Sequence, residues 1–201
     1  HRAELKRRGL GITVTTSEDE PAADFRYQLR LSRYDYNKKH YPALSSIYFT
    51  RNLREIIFSL PGMYLAEKKY SEFKMHFRNI VNLLDDGHLP LQYPKITESS
   101  AFAADLSLWL IDLAYKYFSE NNDIRYFKDD IYEALRLIVE QFIKGTRFNT
   151  YKDNDYLLFT GDRNNCLSWQ YGSIDSKDKV RYGKLLEINA LWYNALCVIT
   201  E

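Results

Sequence analysis

The run Arg181-Tyr182-Gly183-Lys184-Leu185-Leu186-Glu187-Ile188-Asn189-Ala190-Leu191-Trp192-Tyr193-Asn194-Ala195-Leu196 decides how this chain folds. Gly183 and Lys184 suit a loop. From Leu186 onward the residues favour helix, and Ile188, Leu191, Trp192, Ala195 and Leu196 recur at helical spacing as one apolar stripe. Glu187 falls in the first turn, where unpaired backbone N–H groups favour a carboxylate, and Asn189 and Tyr193 stand one turn apart. Physical chemistry alone leaves two readings open. One is a plain amphipathic helix with a capping glutamate; the other is a polar cluster at a helix start, forming the floor of a sugar site.

Working outward, the same periodicity predicts further helices joined by short connections. Ser71 to Leu84 carries Phe73, Phe77, Ile80, Val81 and Leu84 on one stripe and stops at Asp85-Asp86-Gly87. Ser100 to Phe118 follows, capped by Ser99 or Ser100, with Leu106, Trp109, Leu110, Leu113, Tyr117 and Phe118 apolar. Asn121-Asn122-Asp123 breaks the chain and caps a long helix through Phe142. Upstream, Tyr48 to Ala66 reads as a helix kinked at Pro61. Short links between long helices imply antiparallel helical hairpins. Gly145 to Asp162 departs from this pattern, being β-rich and bounded by turn residues, and predicts a small hairpin between about residues 147 and 160. Ser32 to Pro42 and His88 to Pro94 read as loops, residues 1–20 as a linker or extended N-terminal segment, and residues 21–201 as one domain.

Composition narrows the function. The 201 residues are 45% hydrophobic and 27% charged, which suits a globular domain. Lys and Arg number 28 against 27 Asp and Glu, so no net field draws the chain to nucleic acid or to an anionic membrane. A neutral polymer fits that balance, and the 17 tyrosines offer flat faces edged with hydroxyls. No apolar run reaches the roughly 20 residues of a membrane span. Cys166 and Cys197 read as free thiols. His1, His40, His76 and His88 lack metal-ligand spacing, and nucleotide and nucleophile motifs are missing from the sequence, so no metal or cofactor is expected. The basic opening from His1 to Arg8 reads as the interior of a longer chain.

The ten residues Glu187 to Leu196 resemble the matching run of the glycogen debranching enzyme family, in its amylo-α-1,6-glucosidase domain. Other segments resemble it in order: Ala22-Ala23-Asp24, Tyr48 to Glu55, His88 to Pro94, Asp105 to Trp109, Gly145 to Phe148, Leu157 to Gly161 and Leu167 to Tyr171. The resemblance implies an all-α fold, part of an (α/α)6 toroid with a small β-hairpin, and a cytoplasmic protein acting on α-glucan branch points. The helices here make about half of such a ring, so that either the remainder belongs to a longer chain or the domain is broken. Because the family grips the terminal glucose with an Arg-Asp pair, the resemblance implies a substrate site of Arg54, Glu55, Asp105, Trp109, Trp169, Glu187, Asn189 and Trp192. Glu55 replaces the family's Asp, Arg51 another Asp, and Leu91-Gln92 an Asn-Arg pair.

The catalytic residues are where the chain departs most from the family. Inverting hydrolysis needs one protonated and one ionised carboxyl group, roughly 6.5 to 9.5 Å apart. At the family's general-acid position stands Tyr171, whose hydroxyl is a poor acid toward a sugar oxygen. Asp162 and Asp175 are the nearby stand-ins, and the family's general base lies beyond the last residues of this sequence. Two functions therefore compete: a debranching-type α-1,6-glucosidase, and a catalytically degenerate domain that binds glucan.

Overall fold

The computed structural model describes residues 35–36, 39–40, 52–92, 101–169 and 181–200. The expectations for residues 1–20, Ala22-Ala23-Asp24, Tyr48 to Arg51, Tyr93-Pro94, Tyr171 and Asp175 fall outside these residues.

Helices dominate. A small antiparallel pair, β1 (Asp35–Tyr36) and β2 (Lys39–His40), lies within the stretch expected to be loop. Helix α1 (Leu53–Leu60) starts at Asn52, whose side chain accepts from the Arg54 N–H at 3.0 Å. Pro61 does not simply kink it: Pro61–Leu65 continues as a π-helical turn, with the Ala66 N–H reaching the Pro61 carbonyl. Helix α2 (Tyr70–Val81) buries Phe73, Phe77 and Ile80, as its spacing predicts.

Two strands of a second pair then bracket an unforeseen start. β3 (Leu89–Pro90) lies within the expected loop and pairs with β4 (Phe102–Ala103), so α3 (Ala104–Asn121) begins four residues later than Ser100. Its N-cap is Ala103, without a side-chain cap. Extended pairing of Phe102 and Ala103 overrides the local serine signal. Asn122 ends α3 in the left-handed conformation, and Asp123 caps the single turn α4 (Ile124–Tyr126). A π-helical turn, Phe127–Ile131, leads into α5 (Tyr132–Lys144). The expected hairpin is present as β5 (Tyr151–Lys152) and β6 (Leu158–Phe159), and α6 (Leu186–Thr200) closes the described chain.

Side-chain contacts fix the directions of these helices. Arg54 meets Asp105, and Phe58 meets Trp109, so matching steps of four along α1 and α3 show that the two run parallel. Glu187 lies at the α3 start through Ser168, and Asn194 reaches Asp112 at 3.4 Å, so α6 also runs parallel to α3. Helix α2 runs the other way: Lys74 near its start pairs with Asp123 just past the α3 terminus at 2.7 Å. Helix α5 shares that direction, since Arg147 beyond its end pairs with Asp85 beyond the end of α2 at 2.5 Å. Of the five longer helices among the described residues, three thus run one way with α3 between the other two, and two run back.

The core lies between these layers. Leu53, Leu60, Phe73, Phe77, Leu106, Leu110, Ile111, Leu135, Ile138, Phe142, Ile188 and Ala195 are all buried in it. Phe73 stacks on Tyr117 at 4.9 Å, joining α2 to α3. His88 sits among Phe142 and Phe148, fully buried.

Candidate functional site

Parallel α1, α3 and α6 bring their N-terminal ends to one rim. Each end carries the positive pole of a helix dipole and backbone N–H groups that have no partner within the helix, an environment that favours carboxylates. Asp105 occupies the first turn of α3 and Glu187 the first turn of α6.

Asp105 is completely buried and accepts two bonds from Arg54, from Nε to Oδ2 and from Nη2 to Oδ1, both at 2.9 Å. This is the bidentate fork that suits guanidinium to carboxylate. Burial pushes the Asp105 pKa above its ordinary value, against the pull of Arg54 and of backbone N–H groups. With a side chain 13% exposed, Arg54 keeps an edge toward solvent, whereas Asp105 has none. Asp105 therefore holds Arg54 in place and is not itself open to a ligand.

The second carboxylate is more accessible. The Ala104 N–H donates to the Leu167 carbonyl at 2.9 Å, which lays Ser168 against the rim. The buried Ser168 hydroxyl donates to Glu187 Oε1 at 2.8 Å, and Arg181 donates to both Glu187 oxygens at 2.8 and 3.1 Å. Partial burial works to raise the Glu187 pKa, but its own backbone N–H, Arg181 and Ser168 outweigh it and keep the carboxyl below its usual value. Glu187 is ionised at neutral pH and retains 21% side-chain exposure, with Arg181 at 35%. Trp169, next in the chain after Ser168, is half exposed.

The other expected site residues divide. One turn below Arg54 and Asp105, the Trp109 ring meets Phe58 edge-on at 4.9 Å, half-buried in the same wall. Glu55 is half-buried in the first turn of α1. Asn189 is spent on structure. It accepts from the Leu158 N–H at 2.8 Å and donates to the carbonyls of Leu158 and Leu185, fastening β6 to α6. Trp192 lies in the core, 3% exposed, its Nε1–H donating to the Tyr156 carbonyl at 3.2 Å. Neither side chain joins the rim.

The match to the amylo-alpha-1,6-glucosidase family covers residues 39–201, which includes every residue of this rim. The chain belongs to the amylo-alpha-1,6-glucosidase family. Comparison with characterised proteins and with solved structures returned no match.

Within an amylo-alpha-1,6-glucosidase domain, the stand-in acid Asp162 is poorly suited to protonate a leaving group. Backbone donation from Asn164 at 2.7 Å, followed by the Asn165 amide and backbone, holds its carboxyl below the ordinary range, opposite to what a general acid requires. Among the described residues, no group of three His, Cys, Asp or Glu side chains could hold a metal ion, and no helix is long and apolar enough to cross a membrane.

Arg181 and Ser168 are the rim residues that sequence reasoning did not single out. Each carried a signal: Ser168 directly precedes Trp169 in a family-like segment, and Arg181 opens the decisive run. Neither spacing announces that it would converge on Glu187.

Proposed function

We propose that this domain binds the terminal glucose at an α-1,6 branch point of an α-glucan, on the rim formed by Arg54, Arg181, Glu187 and Trp169. The observation that carries this reading is the ionised, partly exposed Glu187 clamped by Arg181 and by Ser168, the residue before the half-exposed Trp169. Arginine and carboxylate edges suit paired sugar hydroxyls, and an indole face suits the apolar side of a pyranose. Asp105 acts as a positioning residue for Arg54. The parallel set of α1, α3 and α6 against α2 and α5 supports an arc of an (α/α)6 toroid completed by further chain. A cytoplasmic location is part of this proposal, following the family.

A second reading, binding without hydrolysis by this domain, is favoured by Tyr171 at the family's acid position and by the ionised state of Asp162. Glucose release from a branched limit dextrin decides between them. Hydrolysis that survives Asp162→Asn but not Asp175→Asn would make Asp175 the acid, whereas binding of isomaltose with no glucose release supports the second reading.

A further inference from the structure

At the tip of the β5–β6 hairpin, Tyr156 is 74% exposed and holds a left-handed backbone, φ +66°. A bulky aromatic rarely accepts that conformation, which glycine or asparagine adopts more easily. The surroundings enforce it. The Tyr156 N–H donates to the Asp153 carbonyl at 3.0 Å, and its own carbonyl accepts from Trp192 Nε1 at 3.2 Å. Lys184 Nζ clamps Asp153 and Asp155 at 2.7 Å each, and Asp155 accepts from the Leu157 N–H at 3.2 Å. Asn189 fixes Leu158 to α6 just behind the tip. With its backbone fixed on both sides, the Tyr156 ring projects outward, and Lys152 Nζ lies 4.8 Å from its centroid.

Trp192, which holds the tip, lies five positions after Glu187, roughly 7 Å further along the α6 axis.

We propose that Tyr156 is a second carbohydrate contact, a platform on which one pyranose ring of an α-glucan chain stacks while the chain's end occupies the rim. Lys152 Nζ covers one face of the ring, and at 74% exposure the ring still offers a sugar a flat apolar surface with a hydroxyl at its edge, the combination that a pyranose matches. Burial of a structural tyrosine would place its ring in the core; here the backbone is anchored to the core through Trp192 while the ring faces solvent. The inference rests on the glucan reading of the rim and extends it to a polymer longer than one or two glucose units.

Retention on immobilised glycogen, measured beside calorimetry with isomaltose, tests the proposal using the whole chain as Tyr156→Gly and Tyr156→Trp. The platform requires Tyr156→Gly to weaken glycogen retention by about threefold to tenfold. It also requires unchanged isomaltose affinity and a melting temperature unchanged or raised, with retention preserved in Tyr156→Trp. Unaltered glycogen retention in Tyr156→Gly overturns the platform and leaves the rim reading standing. A native protein that neither retains glycogen nor binds isomaltose overturns both.

Discussion

Asn194 Nδ2 donates to Asp112 Oδ1 at 3.4 Å, and each of these residues lies seven positions beyond a rim carboxylate, Glu187 and Asp105. Seven residues are close to two helical turns, so α3 and α6 stay parallel and in step from the rim inward. That alignment puts both carboxylates at one level and gives the rim its shape.

Removing one partner of the buried pair should be costly. Asp105→Ala removes the bidentate partner of the mostly buried Arg54, and a loss of roughly 3 to 5 kcal/mol in urea unfolding is expected. Replacing both together, as Arg54→Met with Asp105→Leu, should recover most of that loss. If the double variant is no more stable than the single one, the pair is not the closed unit described.

His88 makes stability depend on pH. Its Nδ1–H donates to the Asp86 carbonyl and its Nε2 meets the Thr150 hydroxyl, both at 2.9 Å. Burial, aided by the nearby Arg147 charge and opposed by Asp85 and Asp86, pushes its pKa from 6.5 down to about 4. A depressed histidine pKa means the unfolded chain takes up the proton first. The contribution is therefore complete above pH 6.5 and lost as pH falls to about 4, about 3 kcal/mol in all. His88→Gln should flatten the stability profile across that window; a profile that keeps its slope assigns the titration elsewhere.

Asn189→Ala should loosen the hairpin. The Leu158 side chain is fully buried, and the substitution strips its backbone N–H and carbonyl of their partner. About 2 to 3 kcal/mol of stability should go, with faster hydrogen exchange at Leu158. Exchange at Leu158 that matches the native protein would show that the amide is not the fastener.

Much of this architecture was legible in the sequence. Apolar spacing located α2 and α6 to within a few residues, and the turn residues around Tyr156 located the hairpin. What could not be read was non-local. The serines at 99 and 100 signal a helix start, but Phe102 and Ala103 are held extended by Leu89 and Pro90, a pairing with no local trace. The π-helical turns at Pro61–Leu65 and Phe127–Ile131 follow from packing and carry no periodic signature. For the site, resemblance picked out Arg54, Asp105 and Glu187, whose side chains do gather at the rim. Trp192 and Asn189 belong to the same matching run, yet their helical phase turns them toward the core and the hairpin.

The central claim is that Glu187 faces a sugar, and isothermal titration with isomaltose against Glu187→Gln tests it most directly. Because the Arg181–Glu187 pair is partly exposed, the substitution should cost no more than about 1 kcal/mol of stability, leaving a folded protein to titrate. Loss of a charge-assisted hydrogen bond to a sugar hydroxyl should weaken binding by about 5- to 150-fold. An affinity equal to that of the native protein, in a variant that melts normally, would remove Glu187 from the site and contradict the account.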